Sequence, residues 1–193
     1  MAQPMGIGAL GFNNTIFKRK FRYTFTITNI CGNQGRTVPE SYVKTAARPN
    51  LAVEETEINF LNAKMFIPGK ATWETITVTY IDAVNASNIG LFKPLWDWMA
   101  SLYDFTDPIN LKMGSMRRDY SATGILNLYD GCGTLLETWT LNNMWPTGID
   151  FGELDYSSSE ECTIALTLRY HDVVYTPVCP AFPIQPCCSP CGT

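Results

Sequence analysis

Hydrophobic and polar positions alternate along most of the chain, a pattern that predicts β-strands with one buried and one exposed face. From Phe21 to Ile27 every odd position is apolar, whereas the even positions carry Arg or Thr. The polar, Gly-containing stretch Asn29 to Gly35 ends this first strand. Further strands are predicted over Ser41 to Ala47, Thr72 to Ile81, Tyr120 to Tyr129, Thr134 to Leu141 and Cys162 to His171.

Near the middle of the chain the apolar positions change to helical spacing. The residues that recur at this spacing are Leu91, Leu95, Trp98, Met99 and Leu102. We expect one helix over about Ile89 to Tyr103, with Asn88 as its cap and Pro94 in its first turn.

Several strands and one helix together predict a mainly β fold, an antiparallel β-sandwich or barrel with one flanking α-helix. Val53 to Phe66 fits further extended structure, which Pro68 and Gly69 close. We divide the chain into an N-terminal arm (1–20), a β domain (21–176) and a Pro/Cys-rich C-terminal tail (177–193). The basic residues of the arm follow its apolar part, which is the reverse of the order in a secretory signal.

Composition and charge limit the possible functions. The chain has 14 Lys and Arg against 18 Asp and Glu, so its formal net charge is -4. Tight binding to a phosphate backbone needs a basic patch, which this balance does not suggest. Charged residues make up 17% of the chain, below the roughly 25% of an average soluble domain. Much of the surface is therefore expected to serve contacts rather than solvated helices, and no apolar run is long enough to predict a membrane span.

Residues that commonly carry catalysis are scarce. The chain has a single histidine, His171, and no Gly-x-Ser-x-Gly motif. Gly6, Gly8 and Gly11 have the spacing of a dinucleotide fingerprint, but neither the preceding strand nor the later acidic residue is present. We therefore expect no catalytic residues, no cofactor and no metal site, and we interpret the protein as non-enzymatic.

The seven cysteines are unevenly distributed. Four of them lie in the Pro-rich tail, and an odd number cannot pair completely within one chain. The tail allows three interpretations: a zinc or redox half-site at Cys188-x-x-Cys191, reduced thiols without a role, or disulfide bonds to neighbouring subunits. We prefer the third. The candidates for bonds between subunits are Cys31, Cys132, Cys179, Cys187, Cys188 and Cys191.

Five stretches of the chain carry a resemblance to a known family: Trp73 to Tyr80, Phe92 to Tyr103, Ala122 to Gly131, Trp139 to Pro146 and Leu166 to Asp172. Together they resemble the tail tube proteins of contractile-tailed bacteriophages. The resemblance covers roughly residues 15–176, with Cys132 in the hairpin turn and the Cys-rich tail as departures from the family.

The resemblance implies a β-sandwich or barrel protomer that forms hexameric rings, which stack into a hollow tube. The partners it implies are further copies of the chain, the tail sheath protein, and the baseplate and tail terminator proteins. It places the protein in the tail of a virion assembled in the host cytoplasm. DNA would pass through the lumen during ejection without specific binding, and a neutral or acidic wall suits that role.

Two alternatives are the inner tube of a contractile secretion or injection machine, which moves protein effectors, and a monomeric ligand-binding β-barrel. Within the tube hypothesis, we expect ring stacking to use the arm Met1 to Lys20 and the long segment Ala46 to Gly69.

Overall fold

The computed structural model describes residues 18–33, 36–38, 40–84, 90–103 and 116–178. These residues form a mostly β structure with one α-helix, α1 (Phe92–Ala100). The strands are β1 (Tyr23–Thr28), β2 (Val43–Ala46), β3 (Leu51–Phe60), β4 (Ala63–Trp73), β5 (Ile76–Ile81), β6 (Ala122–Tyr129), β7 (Leu135–Asp150), β8 (Thr163–Arg169) and β9 (Asp172–Pro177).

Two antiparallel sheets share strand β7. Sheet A has the order β1-β6-β7-β9, and sheet B has the order β7-β8-β5-β2. The first part of β7 pairs with β6 and β9, whereas Trp145 to Asp150 pair with β8. The register shifts between Ala122 and Gly124 on β6, and Asn143 has a positive φ of 51° on the opposite strand. This bulge lies where β7 passes from sheet A to sheet B, which is how one strand serves both layers.

The core fills the space between the two sheets. Strand alternation directs the apolar residues of both sheets inward, as the sequence predicts. The buried strand residues are Phe25, Ile27, Ile76, Val78, Tyr80, Ala122, Leu126, Leu128, Leu141, Met144, Ile164, Leu166 and Leu168. Gly124 makes room for Met144, since a Cβ at position 124 would lie 3.0 Å from the Met144 methyl carbon. The fold is thus the predicted sandwich, with an interior occupied by side chains.

Helix α1 adds its apolar face to this core. Leu95 and Trp98 are fully buried, and the Trp98 indole N–H donates a hydrogen bond of 2.7 Å to the Tyr120 carbonyl oxygen. Pro94 lies in the first turn, as predicted. The helix is shorter than the predicted span at its carboxyl end, where it stops at Ala100, and the predicted cap Asn88 lies outside the described residues.

Beyond shifts of one or two residues at strand ends, the strands differ from the prediction in four ways. The predicted strand Thr72 to Ile81 is broken at Glu74 and Thr75, because the chain leaves a hairpin there and enters sheet B. Strand β4 continues through Pro68 and Gly69, since β3 and β4 have no other neighbours and a bulge absorbs the extra residues. Strand β7 continues beyond Leu141, and β9 follows a strand predicted to be the last.

Candidate functional site

The β3–β4 hairpin stands apart from the sandwich and is exposed along almost its whole length. Its two strands pair only with each other, and every residue of β3 is exposed. A two-stranded hairpin is at best marginally stable in water without a packing partner. The hairpin therefore has the properties of an arm that is buried only after another molecule binds it.

The apolar content of this hairpin supports that interpretation. Leu61, at the turn, is 91% exposed and has a positive φ of 53°, a conformation that favours Gly. Exposed apolar patches of this extent commonly mark interaction sites. The large apolar residues exposed on the hairpin are Leu51, Val53, Ile58, Phe60, Leu61, Met65, Phe66 and Ile67.

Within the described residues, some strands of the sandwich have an edge with no neighbouring strand along most of its length. β1 and β9 border sheet A, and β2 borders sheet B. An isolated bridge between Ile27 and Val38 covers only one end of β1. Monomeric proteins usually protect such edges, because unpaired N–H and C=O groups recruit strands from other chains. These edges are candidate sites for pairing between copies of the chain.

The outer face of sheet A is rich in hydroxyl and amide side chains, and the strands of this sheet carry no basic residue. None of β1, β6, β7 and β9 contains Lys or Arg. Side chains bond across the strands, as in the 2.8 Å hydrogen bond from Thr138 to Asn127 and the 2.9 Å bond from Asn142 to Asp172. The hydroxyl and amide residues of this face are Thr24, Thr26, Thr28, Thr123, Asn127, Thr138, Thr140, Asn142 and Thr176.

One carboxylate is buried in sheet A. Glu137 on β7 is 2% exposed and contacts Lys18, Arg48 and Tyr175. Burial alone raises the pKa of the Glu137 carboxyl, but the hydrogen bonds from Lys18 and Tyr175 and the Lys18 charge hold that pKa below its ordinary value. Sequence reasoning missed this cluster. The available signal was an acidic residue on the apolar side of the alternation Glu137, Trp139, Leu141.

The Glu137 cluster lies near an open cleft at the β1 and β2 edges. The cleft has a volume of about 920 Å³, and Phe25, Leu126 and Leu128 form part of its apolar lining. Its basic side chains are Lys18, Arg19, Lys20, Lys44 and Arg48. The end of the predicted N-terminal arm is thus fixed against the sandwich, while residues 1–17 lie outside the described structure.

A cluster of aromatic rings lies beside α1. Phe92 and Trp96 stack with 5.7 Å between ring centroids, and Phe151 lies 4.9 Å from Phe92. All three rings are more than a third exposed. This cluster forms a second apolar surface, separate from the hairpin.

The structure places two of the six candidate cysteines, Cys31 and Cys132, together with Cys162, and no disulfide bond joins any two of these three. Cys132 lies exposed in the β6–β7 turn, as the sequence predicts, and Cys162 is exposed before β8. Cys31 is half-buried, with its Sγ atom 3.4 Å from the Ser101 hydroxyl oxygen. The candidates Cys179, Cys187, Cys188 and Cys191 lie outside the described residues. Pairing between subunits therefore remains a prediction.

The described residues bring together no group of three or more side chains suited to bind a metal ion. His171 is exposed at the end of β8. In the described part of the chain, no helix has the length and hydrophobicity needed to cross a membrane.

Chains of similar fold occur in structures of contractile particles. A chain in the structure of the anti-feeding prophage tube terminating cap aligns with a TM-score of 0.59 and 17% sequence identity, covering 90% of this chain and 100% of that chain. A chain in the sheath-tube complex of the PVC extracellular contractile injection system aligns with a TM-score of 0.57 and 16% identity, covering 90% and 99%. A chain in the structure of the PVC sheath/tube terminator aligns with a TM-score of 0.58 and 19% sequence identity, covering 82% of this chain and 95% of that chain.

The protein has the fold of these contractile-system chains. The fold that the resemblance to tail tube proteins implied is therefore confirmed. No protein-family model matches the chain, and no curated protein matches its sequence.

Proposed function

We propose that this chain is a structural, non-enzymatic subunit of the inner tube of a contractile particle, and that it assembles into stacked, hexameric rings. The observation that carries the proposal is the β3–β4 hairpin, which exposes its apolar residues and pairs with no other strand among the described residues. The shared fold with chains of sheath, tube and terminator assemblies supports it.

Assembly would use the surfaces that the isolated subunit leaves open. The edges of β1, β9 and β2 would pair with neighbours in the ring, because closing a ring removes free sheet edges. The hairpin and the arm (1–20) would contact the adjacent ring or subunit. The aromatic cluster of Phe92, Trp96 and Phe151 would face the sheath. Baseplate and terminator proteins would bind at the two ends of the tube.

The cargo we propose is DNA, ejected through the tube of a phage virion assembled in the host cytoplasm. Sheet A supports this choice, since its strands contain no Lys or Arg that would hold phosphate groups in a channel. The alternative is the tube of an injection machine that carries proteins, and the structural neighbours support it equally well. Nucleic acid protected from nuclease inside purified particles would favour the phage tube; protein cargo would favour the injection machine.

The monomeric ligand-binding barrel fits the structure less well. The described sheets do not close into a barrel, since the sandwich is open at the β1 and β2 edges. Negative-stain electron microscopy of the purified protein tests the proposal. Rings or tubes are the expected result, and a protein that stays monomeric at high concentration would refute a tube role.

We also propose that disulfide bonds link subunits once particles reach an oxidising medium. The exposure of Cys132 and its position at a turn suit a bond to the tail of a neighbour. Particles run on a non-reducing gel should give oligomeric bands that reductant removes and that Cys132→Ser weakens. Monomers alone would exclude the linkage.

A further inference from the structure

The connection between β7 and β8 is an acidic, exposed loop. We define the acidic loop as residues 150–161, which contain five carboxylates and no basic residue. Leu154 is 88% exposed and Tyr156 is fully exposed, although both have large apolar groups. The acidic residues are Asp150, Glu153, Asp155, Glu160 and Glu161.

Contacts at its two ends hold this loop in place. Phe151 packs on the Phe92 and Trp96 rings, and Glu161 forms an ion pair of 3.2 Å with Lys44. Gly152 has a positive φ of 72°, and its N–H donates to the Asp150 carboxylate. These contacts fix the direction in which the backbone runs from the aromatic cluster into the acidic loop.

Hydrogen bonds within the loop order its centre. The Asp155 carboxylate accepts bonds of 2.9 Å and 2.7 Å from the backbone N–H and hydroxyl of Ser157. Glu160 N–H donates to the Ser158 hydroxyl oxygen. Because the centre of the loop is already ordered, binding through Leu154 and Tyr156 costs less conformational entropy than it would from a mobile loop.

A cleft of about 330 Å³ with basic residues lies at the opposite end of β8. Arg117, Arg169 and His171 contribute to its lining, and no described carboxylate forms an ion pair with either arginine. We define the basic cleft by these three residues and the aromatic residues Trp73, Tyr120 and Trp145. It thus offers positive charge beside aromatic rings, which is complementary to the acidic loop with its exposed Leu154 and Tyr156.

The two features cannot meet within one subunit. The acidic loop precedes Thr163 at the start of β8, and Arg169 ends the same strand. Seven residues of strand separate the two ends by roughly 20 Å. A contact between loop and cleft must therefore join different copies, and it is heterologous because the two partners use different surfaces.

We infer that the acidic loop of one copy binds in the basic cleft of the next copy. Glu153 and Glu160 pair with Arg117 and Arg169, while Leu154 and Tyr156 pack against the aromatic walls. The inference deepens the proposed function and rests on it, since it names one contact by which tube subunits would associate. The contact uses the acidic loop and the basic cleft, at the two ends of β8, and these surfaces differ from the hairpin and the sheet edges.

Charge reversal on each side tests this pairing. One variant carries Glu153→Arg and Glu160→Arg, and a second carries Arg117→Glu and Arg169→Glu; neither touches the core. Like charges then face each other, so we expect the pelletable, assembled fraction to fall about tenfold or more for each variant. A chain with all four changes should assemble within about threefold of the unmodified protein, since reversed charges still attract.

Mixing supplies a second measurement. The two reversal variants in equal amounts should co-assemble, because each loop then meets a cleft of opposite charge. Glu153→Asp with Glu160→Asp, and Arg117→Lys with Arg169→Lys, keep the charges and serve as matched controls that should assemble. Circular dichroism spectra like that of the unmodified chain would exclude misfolding as the cause of any loss.

The outcomes separate the inference from the proposed function. Reversal variants that assemble as well as the unmodified chain would overturn the loop-cleft contact and leave the tube role intact. Loss of assembly in each variant without recovery in the fourfold variant or the mixture would also overturn it. An unmodified protein that never assembles would overturn both.

Discussion

Arg48, which follows β2 of sheet B, lies against Glu137 of sheet A, with 3.7 Å between the Arg48 Nη2 and Glu137 Oε1 atoms. Lys18 and Tyr175 contact the other carboxylate oxygen, Oε2. One buried carboxylate therefore connects the end of the N-terminal arm, both sheets and strand β9. The Glu137 side chain is almost fully buried, whereas Lys18 and Arg48 are about half exposed. Loss of the pairing would therefore be most unfavourable for Glu137, because its charge would be left buried without a partner.

Glu137→Gln should lower the free energy of unfolding by about 1 to 2 kcal/mol near neutral pH, because three donors lose a charged acceptor. The pKa of Glu137 in the folded protein lies below its ordinary value of 4.5. Its contribution is therefore complete above that value and is lost as the pH falls through the lower, folded-state pKa. Urea unfolding at several pH values should show the difference from the unmodified protein shrinking in acid.

Glu55, which is exposed on the hairpin, provides the control for this substitution. Glu55→Gln should change the unfolding free energy by less than about 0.5 kcal/mol at any pH. A Glu137→Gln difference that stayed constant from neutral to acidic pH would show that the charge of Glu137 is not the source of its effect.

Removal of the β3–β4 hairpin should separate folding from assembly. Leu51 and Trp73 are register partners at its base, so an Asn-Gly turn can replace residues 52–72. Since β3 and β4 pair with no strand of the sandwich, the melting temperature should change by only a few degrees. Electron microscopy should show that tubes are lost. A variant that unfolds would show that the hairpin stabilises its own subunit.

Two glycines with positive φ should respond differently to substitution. A Cβ at Gly152 would lie 2.7 Å from the Thr163 carbonyl oxygen, whereas a Cβ at Gly133 would meet no atom within 4 Å. Gly133→Ala should lower the free energy of unfolding by about 1 kcal/mol, because alanine disfavours the left-handed conformation. Gly152→Ala should lower the free energy of unfolding by at least about 1 kcal/mol more than Gly133→Ala, because the backbone must move to make room for the Cβ. Equal losses in denaturant unfolding would contradict the steric explanation.

The two tryptophans of α1 should have separate effects. Trp98 is fully buried and hydrogen-bonded to Tyr120, so Trp98→Ala should lower the free energy of unfolding by about 3 to 5 kcal/mol. Trp96 is partly exposed in the aromatic cluster, and Trp96→Ala should cost less than about 1 kcal/mol. Thermal unfolding measures both effects. Trp96→Ala should still weaken binding of the sheath, which co-sedimentation with the sheath protein would detect.

The outer face of sheet A can be tested as the channel wall. Thr138→Lys with Thr140→Lys would add two positive charges to that face, and assembled tubes should then retain DNA in a filter-binding assay at low salt. Thr77→Lys with Thr79→Lys adds the same charge to the outer face of sheet B. If the sheet B variant retained DNA and the sheet A variant did not, the channel would be lined by sheet B.

Much of the sandwich could be predicted from the alternation of apolar residues. Phe25 and Ile27, and likewise Ile76, Val78 and Tyr80, are buried where the pattern placed them. Strand boundaries were harder, because Thr72 to Ile81 reads as one β-rich run although it belongs to two sheets. Strand β9 was missed because Val173, which packs against the core, is followed by the exposed Val174 and Tyr175, so the segment has no clear alternation.

The sequence by itself determined the β class, the single helix, the inward-facing residues and the scarcity of catalytic groups. These properties follow from local periodicity and composition, which do not depend on which strands become neighbours. Only the tertiary structure decided that β7 serves two sheets, that Glu137 meets Lys18 and Arg48, and that the hairpin stands apart from the sandwich. The same holds for the loop and cleft at opposite ends of β8, because contacts between residues distant in sequence depend on strand order and register.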